Sequence, residues 1–560
     1  MDTTAKISCQ ILVDLLVANG VENVVISPGS RNAPLIIAMA RCEKLKKHVV
    51  IDERSAAFIA LGMANASGSP VALVCTSGTA LLNYAPAVAE AYYRRTPLIV
   101  ISADRPVEWI DQDDSQTIRQ YEALANYVKG SYNIPDHIYD ETTKWYVNRI
   151  INDAIINATS GRQAPVHLNM QFDEPLNVVI NKPEQQTRCI NIVKAHKLLD
   201  NDGLISLAHR ISEAMKVMII AGFNAPDVKL NQALTRLACH KNIVVLTETI
   251  SNLKDKKYIS TIDSVLNIMS EEEKQIAQPD IVITLGGALV SRHIKQYLRA
   301  TRPTEHWHIG ITDTTIDCFQ SLTTRIDIEP GDFFSQINGK IVDNYQSEYS
   351  LFWTDIKSRA ERIHKEFVKK AEWSDLKAFD IIFKSIPSKW NLQLSNGTSI
   401  RYAQLFNTTK FNRSDCNRGV SGIDGCTSTA LGASLVYDDV TLLISGDMSA
   451  QYDIGALSSN LISPRFKMIV IDNGGGGIFR FIKSTSHLPE LEEYFAAKTN
   501  LPVKCIAQGY GFEYFEASNE HQLKKTIKEF ISTDNKPAIL CVKTPTIESA
   551  EILKNYFTQK

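Results

Sequence analysis

Ile7, Ile11 and Leu15 recur at helical spacing ahead of Gly20, which predicts an amphipathic helix. NVVIS follows as a short strand, and a second helix begins after PGSR. HVVID (48–52), VALVC (71–75) and PLIVIS (97–102) are β-branched runs too short for helices. Each leads into a turn of Gly, Ser, Thr or Asp and then an Ala-rich helical segment. This alternation predicts a parallel sheet covered by helices.

The polar stretch NKPEQQTRC (181–189) reads as a linker. Beyond it KVMIIAGF, NIVVLTE, DIVITLGG and EHWHIG form a second alternating block, with no G-x-G-x-x-G after any strand and so no expected dinucleotide site. A charged helical run around 350–375 marks another boundary, and LQLSN, VTLLIS, KMIVID and PAILCV are the strands of the last block. The fold class is α/β, with three Rossmann-like domains of parallel sheets flanked by helices. Their expected limits are 1–182, 190–350 and 366–560, and the first and last share a rhythm that predicts two related sheets.

At 560 residues the chain is too long for one core. Lys and Arg total 60 against 62 Asp and Glu, so nothing favours nucleic acid or an anionic membrane as partner. Ten cysteines are scattered without a C-x-x-C pair, as reduced thiols are, and a cytoplasmic location is expected. The start has no basic n-region or cleavage site, and no apolar run reaches the length of a membrane span, so neither a signal peptide nor membrane insertion is expected.

In a parallel α/β sheet, ligands bind outside the carboxyl ends of the strands. VTLLISGD puts Gly446 and Asp447 at such an end, and KMIVIDNGGGG puts Asn473 at another, 26 residues on. That interval fits one helix and one return strand, so the two side chains could share a ligand on neighbouring strand ends. A carboxylate, an amide oxygen and a backbone carbonyl are hard donors suited to Mg²⁺ completed by phosphate oxygens. Gly474 to Gly477 would admit a phosphate near the N-terminus of the apolar helix expected next. The plain alternative is a helix cap at Asp447 and a tight turn at the glycines.

This pairing resembles the diphosphate-binding motif of the thiamine-diphosphate-dependent enzyme family. The resemblance implies thiamine diphosphate, with Asp447, Asn473 and the Gly475 carbonyl holding Mg²⁺, or Mn²⁺, on its diphosphate, beside Gly446. It further implies a glutamate that polarises N1′ of the aminopyrimidine. Glu53, past HVVID and at the start of an apolar helix, matches. Ile423, with Ser421 in SGIDG, matches the aliphatic residue that props the cofactor into a bent shape.

Arg31, Arg105, Arg292, Arg401 and Arg418 fall at or after predicted strand ends. Five guanidinium forks there point to substrates with several carboxylates, although a single arginine is more often a surface ion pair worth little. SPGSRNAPL, DERSAAFIALGMA, TSGTA, SADRP, NRGVSGIDG, GDMSAQYD and DNGGGGIF, in that order, resemble the menaquinone-pathway branch of the family. That resemblance implies decarboxylation of 2-oxoglutarate and 1,4-addition of a succinyl carbanion equivalent to isochorismate. Arg401 and Arg418 would then bind the 2-oxoglutarate carboxylates, while Ser30, Arg31, Arg105, Gln116 and Arg292 would hold isochorismate. Ser115, Ser291 and Gly397 depart from the branch's usual residues, with Thr398 a stand-in beside the last. A homodimer or homotetramer with sites at the interface is implied too. An acetolactate-synthase-like carboligase and an inactive binding paralogue are the alternatives; the first would not need the arginines, and the second would not need Glu53.

Overall fold

The computed structural model describes residues 2–181, 187–193, 195–482 and 484–559; part of the expected linker at 181–189 lies outside them. Three parallel sheets are present. The first has the order Lys46–Val49, Asn23–Ile26, Val71–Cys75, Leu98–Asp104, Val166–Gln171, Ser131–Ile134. The third runs Arg413–Cys416, Asn391–Leu394, Thr441–Gly446, Phe466–Asp472, Ala538–Lys543, Glu513–Ala517. Numbered by appearance within each sheet, both follow 2-1-3-4-6-5, the shared architecture expected from the rhythm. Between them in sequence lies a five-stranded sheet, Ile243–Thr247, Val217–Ala221, Ile281–Leu285, Glu305–Ile309, Thr324–Ile326. A short antiparallel pair, Asp2–Thr4 with Val179–Asn181, was not expected.

The central strands are mostly apolar because both faces are covered by helices. Leu442, Leu443 and Ile444, like Val71 to Cys75, are inaccessible to solvent. One strand differs from expectation: HVVID is not the strand, which spans Lys46–Val49, while Ile51 is 82% exposed. This strand lies at the sheet edge and, among the described residues, pairs only with Asn23–Ile26.

The described chain forms two compact units. One holds residues 1–194, 419–438 and 452–463, and the other 195–418, 439–451 and 464–560. In the first unit, helix Glu53–Ser67 crosses helix Cys426–Val436 at backbone contact. A Cβ on Gly62 would stand 2.0 Å from the Thr429 carbonyl oxygen, and one on Gly432 would stand 2.0 Å from that of Ile59. Glycine at both places is therefore a packing requirement. Helix Tyr349–Lys370 occupies the charged run. All ten cysteines are free, and among the described residues no helix is long and apolar enough to cross a membrane.

Candidate active site

In both six-stranded sheets the chain order reverses between the first and third strands, the place where such sheets bind ligands beyond their carboxyl ends. In the third sheet those strands are Asn391–Leu394 and Thr441–Gly446, and Asp447 follows the latter directly. Its side chain is 1% exposed. Oδ2 accepts hydrogen bonds from Gly475 N at 2.8 Å and Thr499 Oγ1 at 2.6 Å, and Oδ1 accepts from Met448 N at 2.7 Å. Burial pushes the carboxyl up to about 6, against the pull of those donors.

Asn473 follows the adjacent strand Phe466–Asp472, so the two residues do sit on neighbouring strand ends. Its Nδ2 donates to Asp375 Oδ2 at 2.8 Å, while Thr544 Oγ1 donates to the other Asp375 oxygen at 2.5 Å. Asn473 Oδ1 is buried and has no hydrogen-bond partner among the described residues. An amide oxygen left in that state costs free energy unless something outside the chain meets it.

Gly474 and Gly475 have φ of +78° and +130°, and a Cβ on Gly475 would lie 2.6 Å from the Ala496 carbonyl oxygen. The Gly475 carbonyl accepts from Gly477 N at 2.8 Å and retains a second lone pair. The helix expected after the glycines is only the 3₁₀ turn Gly477–Arg480. A run of four glycines has too much backbone entropy to lose and no side chain to pack, which leaves a helix without a nucleus. The orphaned amide oxygen, the neighbouring carboxylate and the loop carbonyl fit a hard divalent cation. No group of three His, Cys, Asp or Glu side chains that could hold a metal occurs among the described residues. With one carboxylate, this set needs phosphate oxygens to complete a shell.

In the first unit, Glu53 opens helix Glu53–Ser67 behind the N-cap Asp52, whose side chain accepts from Arg54 N and Ser55 Oγ at 3.1 and 2.7 Å. Glu53 is part-buried, and after burial its negative charge adds to the rise in pKa of Cys75 and Tyr84 near the carboxyl end of strand Val71–Cys75. It thus faces the equivalent reversal point of the first sheet. Ser421, at φ +67°, and Ile423 lie in the turn ahead of helix Cys426–Val436. The buried Glu90 clasps that turn, its Oε1 accepting from Gly419 N at 2.7 Å and its Oε2 from Val420 N at 2.6 Å. Burial also raises the Glu90 pKa.

The arginines form two groups. Arg31 is buried, donates to the Phe172 carbonyl at 3.1 Å and pairs with Glu174 at 3.4 Å; burial and the charge of Arg105 lower its pKa. Arg105 donates through Nε to the Ser115 carbonyl at 3.1 Å and pairs with Asp114 at 2.7 Å, next to the exposed Gln116. Ser30 is exposed beside Arg31.

Arg292, Arg401 and Arg418 converge in the second unit. Burial, then the charges of Arg292 and Arg418, draw Arg401 down to about 10. Arg418 Nη1 donates to Asn396 Oδ1 at 3.0 Å, and the preceding Ser395 Oγ accepts from Gly446 N at 3.3 Å, one residue before Asp447. Thr398 starts the short helix carrying Arg401, after Gly397 at φ +98°. Sequence reasoning missed Asp375, Thr499, Glu90 and Glu248. Only their partners, far off in sequence, give these residues meaning.

Two parallel sheets of one order, with a cation-fitting set at the reversal point of one and a glutamate at that of the other, define a class that comparison with known proteins identifies. The model "Thiamine pyrophosphate enzyme, N-terminal TPP binding domain" matches residues 9–123. "Middle domain of thiamine pyrophosphate" matches 196–393, and "Thiamine pyrophosphate enzyme, C-terminal TPP binding domain" matches 397–542.

The chain is 41% identical to the 2-succinyl-5-enolpyruvyl-6-hydroxy-3-cyclohexene-1-carboxylate synthase of Porphyromonas gingivalis, over 100% of its own length and 98% of the relative's. It is 39% and 38% identical to the proteins of that name from Flavobacterium psychrophilum and Flavobacterium johnsoniae, with 98% of each chain covered. The chain belongs to the 2-succinyl-5-enolpyruvyl-6-hydroxy-3-cyclohexene-1-carboxylate synthase family of thiamine pyrophosphate enzymes.

Proposed function

We propose that the protein decarboxylates 2-oxoglutarate and joins the resulting succinyl carbanion equivalent to isochorismate by 1,4-addition. The products are CO₂ and 2-succinyl-5-enolpyruvyl-6-hydroxy-3-cyclohexene-1-carboxylate, in menaquinone biosynthesis. The observation that carries this reading is the continuity of Arg292, Arg401 and Arg418, through Asn396 and Ser395, with Gly446 and Asp447. Polycarboxylate recognition thereby borders the diphosphate site.

Thiamine diphosphate, when bound, supplies a carbon nucleophile for the 2-keto group and a sink for the electron pair left by CO₂. Asp447, Asn473 and the Gly475 carbonyl would hold Mg²⁺, or Mn²⁺, at its diphosphate, with Gly446 alongside. Glu53 holds a proton at N1′ of the aminopyrimidine. Ile423 and Ser421, in one turn, would help hold the cofactor. Arg401 and Arg418 grip the carboxylates of 2-oxoglutarate, since a guanidinium binds carboxylate through two parallel N–H donors. Ser30, Arg31, Arg105, Gln116 and Arg292 orient isochorismate, Arg31 and Arg105 being near enough for the charge of one to lower the pKa of the other.

The proposal includes three domains, 1–182, 190–350 and 366–560, and a cytoplasmic homodimer or homotetramer in which Glu53 of one chain serves the diphosphate site of another. The test mixes protein, Mg²⁺, thiamine diphosphate, 2-oxoglutarate and isochorismate and follows isochorismate loss. Consumption of pyruvate, with Arg31→Ala or Arg401→Ala left active, would instead indicate an acetolactate-synthase-like carboligase.

A further inference from the structure

Strand Ile243–Thr247 ends in the turn Glu248–Asn252, which reaches each of the three elements bearing the converged arginines. Glu248 is 4% exposed, and its carboxylate accepts from Val290 N at 3.0 and 2.8 Å and from Ser291 N at 2.7 Å. Ser291 is in turn the N-cap of helix Arg292–Thr301, its Oγ accepting from Ile294 N at 3.2 Å and donating to Asp263. Glu248 therefore fixes the backbone leading into Arg292.

The next residue, Thr249, donates its N–H to Gln404 Oε1 at 2.9 Å, and Gln404 is the C-cap of the helix that carries Arg401. At the far end, Asn252 Oδ1 accepts from Ser414 N at 2.8 Å while its Nδ2 donates to the Ser414 carbonyl at 3.0 Å. Ser414 lies in strand Arg413–Cys416, which leads directly to Arg418. An arginine side chain has four rotatable bonds, so bidentate grip on a carboxylate requires that its root be held still. Five consecutive residues hold three such roots.

We propose that the turn Glu248–Asn252 is the positioning element of the Arg292, Arg401 and Arg418 cluster, through which the affinities for the two carboxylate substrates are set separately, one from each end of the turn. The inference rests on the substrate assignment above. Its two ends act on different substrates: Glu248 through Arg292 on isochorismate, and Asn252 through Arg418 on 2-oxoglutarate.

The test measures both KM values, kcat and the affinity for Mg²⁺ with thiamine diphosphate. Glu248→Ala removes the acceptor of both backbone N–H groups and is expected to raise the isochorismate KM tenfold or more, with the 2-oxoglutarate KM within twofold. Asn252→Gly tolerates the φ of +55° and removes only the amide; it is expected to raise the 2-oxoglutarate KM by a similar factor and to spare isochorismate. Cofactor affinity should stay unchanged in both. Should either variant fail to fold, Gln404→Met, which removes only the acceptor for Thr249, is read against 2-oxoglutarate in its place. Equal rises in both KM values with weakened cofactor binding, or no change in either, would overturn the proposal. If Arg292→Ala and Arg401→Ala raise KM while the turn variants do not, the positioning role alone falls. If the arginine variants are silent too, the substrate assignment falls with it.

Discussion

Asp375 accepts the Nδ2 hydrogen of Asn473 at 2.8 Å and so decides which end of that amide faces the diphosphate loop. A carboxylate can only accept, so the amide cannot flip without losing the bond, and Oδ1 stays directed away from Asp375. Replacing Asp375 with Leu removes that bias. The expected result is a 10- to 100-fold weaker affinity for Mg²⁺ with thiamine diphosphate, on the order found for partners that orient metal ligands. Titration calorimetry on the folded variant reads this without turnover, and unchanged affinity would remove Asp375 from the account.

Glu53→Gln keeps the shape of the side chain while removing the acid. The variant should still bind thiamine diphosphate and lose on the order of 10²-fold or more of its turnover, the usual scale of a positioned acid or base. Equal losses in binding and rate would mean that Glu53 holds the fold instead.

The crossing of Gly62 over Thr429 leaves no room for a methyl group. Gly62→Ala is expected to destabilise the protein by about 3 kcal/mol or more, because backbone rather than a flexible side chain must yield. A denaturant midpoint equal to that of the wild type would contradict the close approach.

His167 is fully buried against Ser102, its Nε2 lying 2.8 Å from Ser102 Oγ, and burial lowers it from 6.5 to about 4. The native state keeps this ring neutral while the unfolded chain protonates it, so stability falls as pH drops from about 6.5 through about 4 and levels off below. The contribution is at most about 3 kcal/mol, from the 1.36 kcal/mol carried by each pKa unit. Asp104, joined to Ser102 through Asn169 and raised to about 6, runs the opposite way. The difference between wild type and His167→Gln isolates the histidine. Parallel stability curves for the two between pH 7 and 4 would show that the ring is charged in the fold.

Asp447 and Asn473 were legible in the sequence because each lies within three residues of the end of an apolar run and precedes glycine or a helix, a pattern written in adjacent residues. The three parallel sheets were legible for the same reason. The strand at Lys46–Val49 was displaced in the sequence reading because an edge strand with exposed lysines carries no apolar signal, whereas the exposed Ile51 supplies a false one. Glu248 gave no sign of itself, since the N–H groups that it receives belong to residues 290 and 291. Thr499 and Asp375 were hidden likewise. A buried polar partnership is specified by three-dimensional proximity, which local periodicity does not encode.

The amide of Asn252, lying along Ser414, has a second consequence. Strand Arg413–Cys416 is the outermost of its sheet, and such margins expose N–H and C=O groups that can recruit strands from other chains. By satisfying both backbone groups of Ser414, Asn252 acts as a one-residue counterfeit strand. At Ser414 neither backbone group is left for an added strand to take.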